Sequence, residues 1–139
     1  MLTNFDTPNA GSSCVKRPRS NTPLQALTTL NEVVFLECAR SLALLTIRDG
    51  GADHVARLTF AFRRCVSRPP SDIERDTLLK LFNQQRKKFS SDEVDPWLLA
   101  AEDPSHPPVL PDGQTAAEAA AWTIVARVLL NLDETVTRE

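Results

Sequence analysis

Tyrosine is absent from the chain, and glycine occurs only four times among its 139 residues. Long stretches rich in alanine, leucine, glutamate and arginine are present instead, and these residues favour helices. No run approaches the roughly 18 apolar residues that a membrane span needs. The first residues lack the basic region and apolar core of a secretory signal, which favours a cytoplasmic protein. We therefore expect an all-α fold.

Net charge is low as well, at -2 at pH 7. This balance argues against a protein built mainly to bind nucleic acid or an anionic membrane surface. Hydrophobic residues make up 42% of the chain and charged residues 24%, which fits a globular protein. A chain of this length forms one domain that buries roughly two-thirds of its unfolded surface.

Cysteine is limited to Cys14, Cys38 and Cys65, and no Cys-x-x-Cys pair occurs. Without such a pair or a metal-spaced set of His, Asp and Glu, the sequence predicts no metal site and no cofactor. Cys38 and Cys65 fall on apolar helical faces, so we expect both in the core. Cys14 follows a polar segment and is the candidate for a reactive thiol.

The stretch 19–31 carries the strongest local signal in the chain. Thr22 is a good N-cap, Pro23 suits the first helical position, and Gln25 can complete a capping box. We predict one helix from about Pro23 to Thr46, with a kink allowed near Asn31, as the central member of a bundle. The segment Arg48-Asp49-Gly50-Gly51 predicts a sharp stop after this helix, because glycine readily takes the left-handed conformation that ends helices. Apolar residues follow at helical spacing, namely Leu24, Leu27, Val34, Cys38, Leu42 and Leu45.

Three further helices are predicted, over about 53–66, 72–89 and 116–132. Each begins at a capping signal, in turn Asp53, the Ser71–Glu74 capping box and the Thr115–Glu118 capping box. The inward residues of the first two are Val55, Leu58, Phe62, Cys65, Leu78, Leu79, Phe82 and Phe89. Arginines are expected on the outer faces of the helix 53–66 and just after it, namely Arg57, Arg63, Arg64 and Arg68. We expect His54 to be solvated or to act as a cap, and His106 to lie on the surface.

These signals predict a single domain that resembles a four-helix bundle. Five prolines between residues 90 and 114 allow at most one helical turn, near residues 96–99. The predicted segments are an irregular arm (1–21), three helices (22–89), a Pro-rich loop (90–114), a well-buried last helix (115–132) and a polar, fraying tail (133–139).

Four sequence blocks resemble a known family when they are taken in order. They are Phe5-Asp6 with Cys14, Arg17 and Arg19; the stretch 22–31; the segments 61–64 and 68–74; and Leu129-Leu130-Asn131-Leu132-Asp133-Glu134. Together they are similar to the C-terminal part of the planctomycete-type domain of unknown function fifteen-fifty-three, from about Asn4 to the last residue.

That resemblance implies a piece of a larger protein. Longer relatives are typically exported, and in them this domain follows a second uncharacterised domain and often a cytochrome-c-like haem domain. The present chain has no Cys-x-x-Cys-His, no signal sequence and no upstream half of the domain, and Thr135 stands where the family pattern has an aromatic residue. The family has no established activity to transfer.

Three functions remain open at this point. The first, favoured by the lack of any catalytic constellation, is a non-catalytic helical structural or interaction module whose partner is the upstream half of the domain or another chain. The second is a hydrolase-like enzyme fragment that uses Asp6, Cys14, Arg17, Asn31 or His54. The third is nucleic-acid binding through Lys16, Arg17, Arg19 and the arginines of the helix 53–66.

A set of polar residues is predicted to have structural or partner-contacting roles. Asp6 is expected to be a counter-ion for Arg17 and Arg19 rather than a catalytic acid, because pairing with arginine lowers a carboxyl pKa. The amide of Asn31 is expected to hydrogen-bond a neighbouring segment. The full candidate set is Asp6, Arg17, Arg19, Thr22, Gln25, Asn31, Asn131 and Glu134.

Overall fold

The computed structural model describes residues 32–91 and 94–136. This part of the chain forms six helices and no strand, which confirms the all-α fold. The helices are α1 (Val33–Asp49), α2 (His54–Val66), α3 (Asp72–Phe89), α4 (Trp97–Ala100), α5 (Ala116–Leu130) and α6 (Asp133–Val136). None of the described helices is both long and apolar enough to cross a lipid bilayer.

Three helices begin where the capping signals predict. The Asp53 carboxylate accepts a hydrogen bond from the Ala56 amide at 2.7 Å at the start of α2. Ser71 with Glu74, and Thr115 with Glu118, form complete capping boxes at the starts of α3 and α5. These contacts satisfy amides that have no partner within the helix, which is why short-range sequence is enough to place them.

The prediction of one helix from Pro23 to Thr46 is wrong at Glu32. The backbone of Glu32 is extended, with φ -74° and ψ 137°, so α1 begins at Val33. The break falls one residue after Asn31, which itself lies outside the described residues, as does the predicted start at Thr22. The helix also continues past Thr46 to Asp49.

Two glycines let α1 pass into α2 within a few residues. A Cβ on Gly50 would collide with the carbonyl oxygen of Thr46 and press against the backbone of Arg57. Gly51 has a φ of +102°, a conformation that side chains disfavour. The sharp stop predicted at this point is therefore confirmed, and it brings α2 against the end of α1.

Helix α5 lies at the centre of the bundle. The sequence predicted that the helix from Pro23 to Thr46 would be the central one. Helix α5 contacts each of the other five described helices, most extensively α1 and α3. Its side chains are buried around most of its circumference, as predicted from its composition. The residues that achieve this are Ala117, Ala119, Ala120, Ala121, Trp122, Thr123, Val125, Ala126 and Leu129.

Helix α1 turns a different face to the core from the one predicted. Its buried residues are Ala39, Ala43, Thr46 and Ile47, whereas Val34 is 53% exposed and Cys38 is exposed. The expectation of a buried Cys38 is therefore wrong. Small residues face α5 because they allow the two helices to approach closely. The hydroxyl of Thr46 donates to the Leu42 carbonyl at 2.7 Å and so has a partner inside the core.

Helices α2 and α3 bury most of the residues predicted for them. Leu58, Phe62, Cys65, Leu78, Phe82 and Phe89 are buried. Val55 was predicted to face inward but is 46% exposed. Burial raises the pKa of the Cys65 thiol to about 11, so at neutral pH Cys65 is a protonated core residue, as predicted.

The Pro-rich segment packs against the bundle through α4. The single helical turn predicted near residues 96–99 is observed as α4. Arg40 of α1 donates to the carbonyl oxygens of Leu99 and Leu98, at 2.8 and 3.5 Å. Ala100 and Ala101 are buried, so this part of the segment belongs to the core.

Candidate functional site

Most residues of the predicted polar set lie outside the part of the chain that the structure describes. These are Asp6, Arg17, Arg19, Thr22, Gln25 and Asn31, together with the thiol candidate Cys14 and the cation Lys16. Asn131 and Glu134 are described, at the C-terminal end of α5 and in α6. Any contact of these two with the others falls outside the described residues, and their shared role remains a prediction.

Glu134 belongs to an ion-pair network centred on Arg68. The Arg68 guanidinium donates to both oxygens of Glu74 at 2.8 and 2.9 Å, and to both oxygens of Glu134 at 2.7 and 2.9 Å. Each contact is a two-pronged pairing that matches the planar fork of arginine to a carboxylate. The Arg68 Cζ atom also lies 5.1 Å from the centre of the Phe62 ring.

Each group of the Arg68 network shifts the pKa of its partner so that the charged forms are favoured. Hydrogen bonding to Arg68 is the main cause that lowers the pKa of Glu74 to about 2, and the Ser71 amide adds to it. Arg68 likewise lowers the pKa of Glu134, while the two carboxylates raise the pKa of Arg68. All three groups are therefore charged at neutral pH.

The Arg68 network joins the loop between α2 and α3 to helices α3 and α6, across a long sequence separation. Arg68 lies in the loop between α2 and α3, Glu74 in the first turn of α3, and Glu134 in α6. Two of the sequence blocks noted above, 68–74 and 129–134, therefore meet in space. The polar tail predicted to fray instead forms α6 over Asp133–Val136, and Thr135 donates to the Leu129 carbonyl at 2.8 Å.

A second cluster surrounds His54 at the start of α2. The imidazole lies against the Phe82 ring, with 4.7 Å between centroids, and 6.3 Å from the Trp122 ring. Its Nε2 is 3.9 Å from a carboxylate oxygen of Glu118 and 3.5 Å from a guanidinium nitrogen of Arg86. Arg86 and Glu118 form an ion pair at 3.6 Å. The prediction of a solvated or capping His54 is only partly right, because 35% of its side chain is exposed while its ring packs on core aromatics.

Desolvation determines the charge state of His54. Burial lowers its pKa, Glu118 opposes this effect, and the cations Arg86 and Arg57 reinforce it. Its Nδ1 and the Nε1 of Trp122 are both buried and have no hydrogen-bond partner among the described residues. A neutral imidazole is thus the form that the fold favours near pH 7.

The chemistry available to the His54 cluster is limited. Glu118 already accepts a hydrogen bond from the Thr115 amide at 3.3 Å and cannot orient the imidazole at its 3.9 Å distance. The described residues contain no group of three His, Cys, Asp or Glu side chains able to hold a metal ion. His106, as predicted, lies on the surface, where it pairs with Asp103 at 2.8 Å.

Arg57 was expected on an outer face but is only 6% exposed. Its Nε donates to the Gly51 carbonyl at 3.0 Å and its Nη1 to the side-chain oxygen of Gln114 at 2.7 Å. The arginine therefore joins the loop after α1 to the loop before α5. Helical periodicity could not identify this role, because both partners lie in loops.

Sequence reasoning missed the two clusters that the fold assembles. Glu74 was recognised only as part of a capping box, and Arg68 only as an outward cation. The sequence feature that could have revealed the pair of Arg68 and Glu74 is their short separation within the block 68–74. The cluster of His54, Arg86 and Glu118 had no such signal, because its members come from three helices.

Comparison with protein families gives one match. A family model described as PSD1, protein of unknown function (DUF1553), matches residues 1–82. Arg68 and Glu74 lie within the matched residues, and Glu134 lies beyond them. Neither a curated protein nor a solved structure matches the chain.

Proposed function

Because the chain belongs to the DUF1553 family of proteins of unknown function, we propose that it acts as a non-catalytic helical structural and interaction module. In this proposal the helices form a scaffold that packs against another part of a larger protein or against another chain. The expected partner is the upstream half of the family domain, which precedes this segment in longer relatives.

One observation carries the proposal. The charged side chains of the blocks 68–74 and 129–134 are used to fasten helices to each other, with Arg68 pairing to both oxygens of Glu74 and of Glu134. Catalytic acids and bases instead need a free face toward a substrate and a pKa near the working pH. Glu74, with a pKa of about 2, is suited to ion pairing and not to proton transfer near neutrality.

Direct binding tests the proposal. The upstream half of the domain from a longer family member is produced separately and titrated against this chain by isothermal titration calorimetry. We expect a one-to-one complex that also elutes together in gel filtration. A helical, folded chain that shows no heat of binding and no co-elution would contradict the module proposal.

A hydrolase-like fragment is the second candidate, and the neutral imidazole of His54 near Glu118 is the observation that favours it. A panel of ester, amide and phosphoester substrates tests it, with His54→Gln as the matched variant. We expect no turnover above that of the variant. Turnover that is lost in His54→Gln with an unchanged circular dichroism spectrum would replace the module by an enzyme.

A further inference from the structure

The outer face of α2 forms an open groove with an aromatic floor. Ala56, Thr59, Phe60, Arg63 and Arg64 line it, and its volume is about 470 Å³. These residues lie opposite Leu58, Ala61, Phe62 and Cys65, which face the core. Phe60 is half-buried, and the Cζ of Arg64 lies 5.4 Å from its ring centre.

The two arginines of this groove differ from the other arginines around it. Helix α2 contains three arginines and no aspartate or glutamate. Arg63 and Arg64 are exposed, and neither forms an ion pair with a residue in the described ranges. Four other arginines in those ranges pair with carboxylates, namely Arg48, Arg68, Arg75 and Arg86. Arg40 and Arg57 instead donate to carbonyl and amide oxygens.

Nearby carboxylates are already engaged by other cations. Asp49 is hydrogen-bonded to Arg48, which is the main cause of its lowered pKa, and Arg64 adds only a weaker long-range effect. Glu74 and Glu134 are both held by Arg68. The guanidinium groups of Arg63 and Arg64 thus remain available to carboxylates from outside this part of the chain.

We propose that the α2 groove (Ala56, Thr59, Phe60, Arg63 and Arg64) is a docking site for a partner protein segment that carries carboxylates beside an apolar side chain. This inference rests on the module function proposed above and names the surface and the partner chemistry. Arginine forks bind carboxylates in two-pronged geometry, and the Phe60 ring offers an apolar floor between them. Arginine and aromatic residues are enriched in protein interfaces for these reasons.

Nucleic acid fits the α2 groove less well than an acidic protein segment. Phosphate backbones are bound by several cations along a track, with exposed aromatic faces for the bases. Here Arg57 is buried and Arg68 is held by two carboxylates, which leaves two guanidinium groups on this face.

Fluorescence anisotropy with a labelled peptide that combines glutamates with one phenylalanine tests the docking site. A peptide with glutamine in place of each glutamate is the reference ligand. We expect the acidic peptide to bind at least roughly tenfold more tightly than the neutral one, and the double variant Arg63→Gln/Arg64→Gln to remove that preference. Phe60→Ala should weaken both peptides, since it removes the apolar floor.

A matched control separates this site from general charge attraction. Lys87→Gln/Lys88→Gln removes the same charge from exposed positions at the end of α3 and should leave peptide binding unchanged. Equal affinity for the two peptides, or an equal loss in both double variants, would overturn the proposal. Tight binding of a single-stranded oligonucleotide would also overturn the proposal if only Arg63→Gln/Arg64→Gln abolishes it. Self-association of the chain with the same dependence on these arginines would overturn it too.

The docking site and the module function fail in different ways. If the upstream half of the domain binds wild type and Arg63→Gln/Arg64→Gln equally well, the module stands and the α2 groove is not its docking surface. If the acidic peptide binds through the α2 groove but the upstream half does not bind at all, the groove stands and the proposed partner is wrong.

Discussion

Two polar clusters flank α2, and they contain similar residue types in opposite surroundings. The His54 cluster at its start places an imidazole, Arg86 and Glu118 on the rings of Phe82 and Trp122. The Arg68 network beyond its end holds Glu74 and Glu134 at the surface. Burial lowers the pKa of His54 in the first cluster, whereas in the second the charge partners shift the pKa values of Glu74 and Glu134.

This difference shows that the surroundings of a polar group determine how much it contributes to the stability of the fold. An exposed ion pair gains little, because water screens it and the long side chains lose freedom. A polar ring on a packed aromatic core is coupled to the whole bundle, because the Phe82 and Trp122 rings are only 4.5 Å apart and almost fully buried. We therefore expect changes around His54 to have larger effects than changes around Arg68.

The largest expected effect comes from removing the larger of the two aromatic rings near His54. Trp122→Ala should reduce the free energy of unfolding by about 3–5 kcal/mol, because a large buried side chain is lost and the cavity closes only in part. Urea denaturation followed by circular dichroism measures this loss. Leu98→Ala, at a position 62% exposed, is the control and should change the stability by less than about 0.5 kcal/mol. Equal losses in both variants would refute the central position of α5.

The second effect is a pH dependence located at His54. Because its folded pKa lies below the unfolded value of about 6.5, the unfolded chain binds the proton more readily. The contribution of neutral His54 to the free energy of unfolding is complete above that unfolded pKa and is lost as the pH falls through the folded pKa. Urea midpoints at a series of pH values should therefore fall below about pH 6.5 in wild type and fall less in His54→Phe. Identical profiles would show that His54 is freely solvated.

The third effect is a pH dependence located at Glu74, which has the same sign as that of His54 but occurs at more acidic pH. The pKa of Glu74 is lowered to about 2 in the fold, so its contribution is present above its unfolded pKa of about 4.3 and is lost as the pH falls toward the folded value. Glu74→Gln should lower the melting temperature at neutral pH and have little effect near pH 2. The matched variant Asp76→Asn removes an exposed carboxylate that pairs with Arg75 and keeps the Arg68 network. A neutral-pH effect no larger than that of Asp76→Asn would show that the Arg68 network adds no more stability than the exposed pair of Arg75 and Asp76.

The smallest expected effect is the coupling between Arg68 and Glu134. Both side chains are well exposed, so the pair should contribute less than the pair of Arg68 and Glu74. A double-mutant cycle of Arg68→Gln and Glu134→Gln, read by thermal melts at low and high salt, measures this coupling. It should be favourable and should shrink as salt is added. A coupling that does not depend on salt would indicate a buried contact instead.

Local sequence was sufficient for the features that depend on a few neighbouring residues. The capping boxes of Ser71 with Glu74 and of Thr115 with Glu118 each close over three residues, and both are observed. The stop at Gly50-Gly51 and the single turn of α4 are of the same kind. Each satisfies backbone groups near its own position, so the rest of the fold cannot readily move it.

Tertiary structure decided which faces are buried and which distant charges meet. On α1 the apolar residues Val34, Cys38, Leu42 and Leu45 form a stripe of their own, yet the small residues Ala39 and Ala43 face α5. Periodicity shows that a helix has an apolar face, but when two faces qualify, the closer packing selects one. Likewise, Arg68 and Glu134 are 66 positions apart and meet only because α6 returns to the end of α2. The sequence by itself determined where α2, α3 and α5 begin, because capping is local, and the packing of α5 against its neighbours determined which faces are buried.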